Sequence, residues 1–594
     1  MAQLLQKLRI DRRAQARGQG PSYLRMPGWL LVVTVLAVLA VIVTEFAVDL
    51  ADYPALRDIV VIVDLGLVLG FLGWHAVHLL RNRHRLFQFL FEERLDLLVV
   101  VLAAIVAAVV PRAGAAIVIA RLVLTGAGKV LGSAFATRIA RFANLKPSQT
   151  LALSFLALLA AGTALLMLPA STVDGEGARF IDALFTATSA TCVTGLVVQD
   201  TGTHFTPFGQ VVILLLIQAG AIGMLVLGAA FVVLVGGRLP GRQQVGLGSL
   251  LEVQTPEGIK RLVTAVTAAT FGTELIGAAA LYVLWGVGVM DLPARYDDAA
   301  GALWWSLFHS ISAFCNAGFA LAEDSLSMWV GNPMVSAVFV GLITAGGLGF
   351  VVVLDLTNRQ NWGVLRPGAI WSRLQVQTRV VLVATLVLDL VGALAFLFFE
   401  YDGALAGLSI PTKLNAALFQ GVTLRTAGFN TVPLGALAAP TVIVCVVWMF
   451  IGAGPGSTGG GVKTTTAATV IMAVRAMLRG REEVELFGRA IPQVVVYRSI
   501  SIVFIAGAII ASFLVLLTAT QGGNFERLAF ETVSAFGTVG LSMGATSELD
   551  TVGKALVTML MYTGRVGPLT LALAIGERTV PKGYKYPQGR MAVG

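Results

Sequence analysis

FTATSATCVTGL (Phe185–Leu196), FHSISAFCNAGF (Phe308–Phe319), FQGVTLRTAGF (Phe419–Phe429) and FETVSAFGTVGL (Phe530–Leu541) are four versions of one turn. Each carries Phe-x-x-x-Ser/Thr: Phe185 with Ser189, Phe308 with Ser312, Phe419 with Thr423 and Phe530 with Ser534. A glycine follows the hydroxyl residue by six positions in the first, second and fourth turns and by five in the third. These glycines, Gly195, Gly318, Gly428 and Gly540, are 123, 110 and 112 residues apart. From about Asn144 onward, each turn has an apolar span on either side and a short amphipathic stretch before it. Four copies of span, re-entrant turn and span predict a pseudo-fourfold assembly within one chain.

The remaining sequence agrees with a membrane setting. Of 594 residues, 57% are hydrophobic and 13% charged, and the mean hydropathy is +0.83, which excludes a soluble enzyme or a disordered scaffold. Apolar segments long enough for helices fall at roughly 27–48, 58–80, 96–110, 113–133, 149–168, 208–236, 262–288, 333–354, 380–399, 439–472, 495–519 and 552–576. With the N-terminus placed in the cytoplasm and sides alternating, the inner segments hold 32 Lys/Arg against 11 Asp/Glu, and the outer segments 6 against 18. The positive-inside rule therefore puts both termini in the cytoplasm, and the acidic outer face would concentrate cations. This sorting accounts for the net charge of +9, so nucleic acid is not an expected partner; membrane lipid is. The first span has no small-residue cleavage site at its end and reads as uncleaved. Three cysteines (Cys192, Cys315, Cys445) form neither a CxxC pair nor a disulfide framework.

Non-helical backbone at membrane depth is tolerated only where protein buries it or a watered cavity meets it, because an unpaired polar group in lipid costs several kcal/mol. Four such turns around one axis predict a pore. A short helix descending to each glycine aims its partially negative C-terminal end at the axis, and glycine allows torsions that turn carbonyls inward to replace a cation's water shell. The candidate filter residues are Cys192, Val193, Thr194 and Gly195; Cys315, Asn316, Ala317 and Gly318; Arg425, Thr426, Ala427 and Gly428; and Gly537, Thr538, Val539 and Gly540. Most of these side chains are small or apolar, so the backbone is the expected ligand.

At these turns the sequence resembles the superfamily of potassium transporters that includes the bacterial Trk and Ktr systems and plant HKT proteins. SATCVTGL, FCNAGF, RTAGFNT and SAFGTVGL look like its four filter loops, and GAGPGSTGGGVKTTT (Gly452–Thr466) looks like its glycine-rich intramembrane loop. The resemblance covers about residues 145–594 and is closest to a Ktr-type translocating subunit. It implies four M1-P-M2 repeats in one chain, potassium passage through a filter with one glycine per repeat, dimerisation, and control by a cytosolic RCK-type ring that carries the nucleotide. In the plant relatives a serine at the first filter glycine goes with sodium preference. Glycine at all four positions here therefore implies potassium as the permeant ion, with Na⁺ at most an activator. The third turn departs from the pattern, being one residue shorter and carrying Arg425.

The glycine-rich loop is not read as a phosphate cradle. Gly456 to Gly461 has P-loop spacing, but Val462 separates the last glycine from Lys463, and both flanks are spans rather than a strand and a helix. Gly452, Ala453, Gly454, Pro455, Gly456, Ser457, Thr458, Gly459, Gly460 and Gly461 would instead break the long span over 439–472 just below the filter, leaving a mobile obstruction. Arg565 lies in the last span, about 37 Å of helix path or less beyond Gly540, and charged residues in spans usually face the bundle interior or a water path. In the resembling family an arginine here lines the pore as an electrostatic barrier, so the loop, with Lys463, and Arg565 together make the expected gate.

The expected fold is an all-α polytopic membrane protein. A basic cytoplasmic N-terminus (1–26) and a four-helix membrane domain (27–145) precede pore repeats at 146–240, 241–360, 361–480 and 481–594. The four-helix domain resembles an S1–S4 bundle, but the gaps between Arg112, Arg121, Lys129, Arg138 and Arg141 are 9, 8, 9 and 3, not the spacing of a sensor helix. It reads as a packing or dimerisation domain, with Glu45 and Asp64 pairing Arg112 or Arg121. Glu274 and Asp389 are expected to be hydrogen-bonded within the bundle. The histidines (His75, His78, His84, His204, His309) lack partners at metal-ligand spacing. The expected function is potassium uptake across the bacterial inner membrane, with a Na⁺- or H⁺-coupled symporter of the same fold as the alternative. An intramembrane enzyme is the more distant reading, because no nucleophile–base constellation is present.

Overall fold

The computed structural model describes residues 147–236, 256–357 and 371–567. The chain separates into Met1–Leu145 and Lys146–Gly594, and all the described residues belong to the second unit. The expected four-helix domain over 27–145, its proposed pairs between Glu45, Asp64, Arg112 and Arg121, and the end of the chain after 567 lie outside the described residues.

Four segments follow one another. The first comprises α1 (Pro147–Leu166), the short α2 (Phe180–Thr191) and α3 (Pro207–Gly236); the second comprises α4 (Pro256–Gly286), α5 (Ala299–Cys315), α6 (Pro333–Leu348) and α7 (Phe350–Thr357). The third has α8 (Val376–Phe399), α9 (Ile410–Thr423), α10 (Ala439–Phe450) and α11 (Thr464–Leu478). A small hairpin, β1 (Val484–Leu486) paired antiparallel with β2 (Arg489–Ile491), leads into the fourth. That segment has α12 (Gln493–Gln521), α13 (Phe525–Gly537), α14 (Ala545–Glu548) and α15 (Thr551–Val566). The hairpin departs from an all-α expectation; Phe487 and Gly488 at its tip both have positive φ, 50° and 73°, the backbone of a type I′ turn.

Local chemistry explains where the helices start. Proline opens α1, α3, α4 and α6, where its missing N–H has no intrahelical partner to lose. Asp298, Asn332, Asn524 and Asp550 cap α5, α6, α13 and α15 by accepting from backbone amides in the first turn. Large apolar side chains cover the outside of the bundle as well as its core, while the hydroxyls of the turns are buried. Ile276, Phe398 and Phe504 are 73%, 78% and 76% exposed, whereas Ser189, Ser312, Thr423 and Ser534 are fully buried. Apolar side chains outside and satisfied hydroxyls inside suit a hydrocarbon surround, and this is a multi-pass membrane protein.

Three described helical stretches are long and apolar enough to cross a membrane: Ala265–Gly286 of α4, α8 and α12. Several second helices do not run the length of their apolar segments: those over 333–354 and 552–576 bend or end early, and the span over 439–472 is broken at its glycine-rich loop, as the sequence predicts. Between α6 and α7 the axis bends by 98° at Gly349, where φ is +88°; α10 and α11 are parted by residues 451–463; and α15 is capped by Gly567 at φ +88°. Glycine at positive φ ends a helix at no steric cost.

The segments close on one another. Each short helix packs on the first helix of its own segment, and also on a second helix of the segment before it: α5 on α3, α9 on α6, α13 on α10 and, closing the circle, α2 on α15. At that closure Lys554 Nζ meets Asp182 Oδ1 at 2.6 Å, with side chains 17% and 8% exposed. Removing one partner of a buried pair leaves a bare charge. Lys554→Met is therefore expected to destabilise the purified protein by about 3 kcal/mol, read as a lower thermal unfolding midpoint in detergent, and Asp182→Asn in the same background should restore most of the loss.

Candidate functional site

Each short helix ends in the same way. Phe185, Phe308, Phe419 and Phe530 are buried, and one turn later the hydroxyl residue closes the chain that follows. Ser189 Oγ accepts from Gly195 N at 3.1 Å and Ser534 Oγ from Gly540 N at 3.2 Å. Ser312 Oγ and Thr423 Oγ1 instead donate to the carbonyls of Phe319 and Phe429, at 2.7 and 2.6 Å. Phe-x-x-x-Ser/Thr is thus an anchor followed by a clasp.

The chain then passes through two left-handed residues. Val193, Asn316, Thr426 and Thr538 have φ of 57°, 60°, 69° and 50°, and the glycines two positions on have φ of 94°, 70°, 80° and 92°. Positive φ at a β-branched residue costs of order 1–3 kcal/mol and persists only where the surroundings over-determine it.

The glycines form a closed ring in which none has room for a side chain. A Cβ on Gly318 would lie 2.9 Å from Gly428 Cα and 3.0 Å from Ala427 O; one on Gly428 would lie 2.5 Å from Val539 O and 3.4 Å from Gly540 Cα. A Cβ on Gly540 would strike Thr194 O and stand 2.9 Å from Gly195 Cα, and one on Gly195 would strike Ala317 O, 3.0 Å from Gly318 Cα. The carbonyls of Thr194, Ala317, Ala427 and Val539 therefore alternate with the glycines around the circle. Partially negative ends of four short helices converge on the same place.

The glycine-rich loop lies against one side of the ring. Bonds run from Gly452 N to Val462 O (2.9 Å), Gly454 N to Gly347 O (2.9 Å) and Thr458 N to Gly346 O (3.3 Å). A Cβ on Gly459 would collide with Thr426 Oγ1, and one on Gly460 with Thr538 Oγ1. Arg565, 1% exposed, donates from Nη1 to Thr458 O and from Nη2 to Gly220 O at 3.1 Å. Lys463 Nζ reaches Gly459 O at 2.5 Å. Loop, ring and Arg565 thus touch, with Arg565 inside the bundle rather than reaching to an interface.

Arg425 behaves differently from the other candidates. Its guanidinium pairs with Asp389 Oδ1 at 2.8 Å and bonds Thr385 Oγ1 at 3.2 Å, both on α8. Glu274 accepts from Gln218 Nε2 at 3.1 and 3.2 Å. Asp550 and Asp174 sit outside the helices, Asp550 as the N-cap of α15. Asp550 accepts from Gly553 N and from Gln521, and Asp174 from the Thr172 hydroxyl and Glu176 N, which holds both carboxyls below their ordinary range. Both stay anionic to lower pH than a free aspartate.

Two further sets of residues escape a reading of the turns alone. Gly220, Gly346 and Gly564 leave space for the carbonyls of Thr191, Phe314 and Phe536, each four residues before a ring glycine; the signal is a glycine 25, 28 and 24 positions after Gly195, Gly318 and Gly540. Gly452, 24 after Gly428, holds that place in the third segment and instead meets Gly460 O. The residue after three of the four anchors ties down the chain leaving the ring: His309 Nε2 accepts from Leu321 N at 3.2 Å, Gln420 Nε2 donates to Thr431 Oγ1 at 3.5 Å, and Glu531 accepts from Ser542 Oγ at 2.8 Å. Among the described residues no His/Cys/Asp/Glu group has metal-site geometry.

A closed ring of backbone carbonyls in a multi-pass helical bundle is the architecture of a cation-conducting membrane protein. Residues 113–579 match the TrkH family, cation transport proteins, and the chain belongs to that family, whose members are ion transporters rather than enzymes. The chain is 37% identical over 459 residues to Ktr system potassium uptake protein B of Bacillus subtilis, covering 77% of this chain and 99% of the relative. It is 39% identical over 444 residues to the protein of the same name from Vibrio alginolyticus, covering 74% and 94%. To the potassium/sodium uptake protein NtpJ of Enterococcus hirae it is 34% identical over 458 residues, covering 76% and 98%. The crystal structure of the potassium transporter TrkH from Vibrio parahaemolyticus superposes with a TM-score of 0.60 at 20% identity, covering 80% of this chain and 94% of that one, a likeness of fold.

The clasp hydroxyls are separable from the ring. Ser312→Ala and Thr423→Val each leave a buried carbonyl without its donor and are expected to cost about 1–3 kcal/mol, seen as a lower unfolding midpoint of the purified protein.

Proposed function

We propose that this protein takes up potassium across the bacterial inner membrane, through a pore formed by four M1-P-M2 repeats around the glycine ring. The observation that carries the reading is the alternation of glycines with the carbonyls of Thr194, Ala317, Ala427 and Val539, which offers a cation a set of backbone oxygens in place of water. The sequences of the potassium uptake relatives support potassium as the ion, and the name of the Enterococcus relative leaves sodium a part as activator or second ion. Cys192 to Gly195, Cys315 to Gly318, Arg425 to Gly428 and Gly537 to Gly540 form the filter, Arg425 through its backbone alone. Residues 452–461, Lys463 and Arg565 form the gate, a reading that the Arg565 to Thr458 bond supports. The permeant ion needs no bound cofactor on this chain. The working assembly is a homodimer with both termini cytoplasmic, regulated by an RCK-type ring that binds nucleotide and docks on the basic inner loops; the positive-inside charge bias supports this orientation.

Flux of K⁺, Rb⁺, Na⁺ and Li⁺ into proteoliposomes tests the pore. K⁺ and Rb⁺ should pass in preference to Na⁺ and Li⁺, and Gly318→Ser should lower the K⁺ to Na⁺ ratio about tenfold, the effect of ~1.4 kcal/mol of strain at one ring position. An unchanged ratio would remove the ring from the path. Arg565→Ala, or a shortened 452–461 loop, should raise resting K⁺ leak in the absence of the regulator; an unaltered leak would assign the gate elsewhere.

A further inference from the structure

The third turn is the odd member of the ring, and its difference begins with one missing residue. In the other turns the amide before the glycine donates five residues back: Thr194 N to Ser189 O at 2.7 Å, Ala317 N to Ser312 O at 2.8 Å and Val539 N to Ser534 O at 2.9 Å. Ala427 N closes only four residues back, on Thr423 O at 3.0 Å. Three positions before the glycine the other turns carry small residues, Cys192, Cys315 and Gly537; the short turn carries Arg425. Gly537 has the Met449 carbonyl where a Cβ would be, and Cys315 Sγ makes a 3.6 Å contact with Glu274 on α4. Arg425 instead reaches α8 and takes two charge-assisted bonds, to Asp389 and Thr385.

Two consequences follow from the charge. A guanidinium three residues from a cation's path repels that cation unless neutralised, and Asp389 neutralises it at 2.8 Å with both side chains largely buried, 6% and 13% exposed. A buried pair holds its geometry tightly, because separating the partners strands a charge in a low-dielectric interior. The pair therefore clamps the turn and cancels its field together.

We propose that the Arg425–Asp389 pair is a strut that replaces the missing residue, fixing the third turn against α8 and making that turn a determinant of cation discrimination. This rests on the glycine ring being the ion path. Arg425 and Asp389 act as positioning residues, through the backbone of Thr426, Ala427 and Gly428.

The test is initial Rb⁺ and Na⁺ uptake into proteoliposomes containing the full chain, with Gly318→Ser run in parallel. Asp389→Asn and Arg425→Gln should each lower the Rb⁺ to Na⁺ ratio about tenfold, and Asp389→Glu, which keeps the charge, should hold it within about twofold. Because Asp389→Asn leaves a bare cation and Arg425→Gln a bare anion, the absolute Rb⁺ rate should fall further in the former, a difference that a merely structural contact would not produce. An unchanged ratio in both variants, or an equal loss of both fluxes, overturns the strut while Gly318→Ser still degrades selectivity. If Gly318→Ser also leaves the ratio intact, the ring reading fails and the strut with it. Should the charge variants not purify in folded form, Thr385→Val, which removes one bond and no charge, decides: a ratio lowered about threefold supports the strut, and an unchanged one overturns it.

Discussion

No glycine in the ring can accept even one added carbon, because a neighbouring segment's backbone already occupies the space. This mutual exclusion sets four chain segments, far apart in sequence, at one separation. Everything around the ring serves to hold it: buried phenylalanines anchor the short helices, hydroxyls clasp the returning chain, and in three turns the polar residue after the anchor ties down the exit. The left-handed torsions at Val193, Thr426 and Thr538 are costly for β-branched residues, and that cost is borne because so many bonds converge on a few residues.

The second helices tell the same story from the other side. A glycine near the level of each turn lets a helix end approach until its carbonyl fills the place of a side chain, and in three segments the helix breaks or is capped within a few residues. In the third segment the break widens into the 451–463 loop, whose own carbonyl at Gly460 takes the position that a short-helix carbonyl takes elsewhere. The loop is thus an expanded version of a feature present throughout the bundle, and Arg565, in the corresponding stretch of the fourth segment, holds it by a carbonyl.

Much of this is legible in the amino-acid sequence. Repetition of Phe-x-x-x-Ser/Thr with a trailing glycine announces both the number of turns and the residues at their centre, since those positions answer to local geometry. Span limits were less legible. Hydropathy integrates over a window and cannot register that Gly349 turns the axis through 98°, whereas the glycines and proline of 452–461 do announce the break within the apolar run from 439. The direction of Arg425 depends on Asp389, 36 residues away on another helix, and turn spacing carries no information about that partner. Gly220, Gly346 and Gly564 were missed because a lone glycine in an apolar span has no local signature; their meaning lies in their distance from the ring glycines.

Carrying all four turns on one chain frees each to differ. In a ring assembled from four identical subunits, any substitution arrives in quadruplicate, so an arginine beside the axis would bring four positive charges and a shortened turn would contract every side together. Here one turn has lost a residue, one position has become cationic and one helix has opened into a loop, each a single event that the other three quarters leave unrepeated. Covalent linkage turns symmetry from a requirement into a starting point, and the departures from it mark where the circle has acquired separate parts.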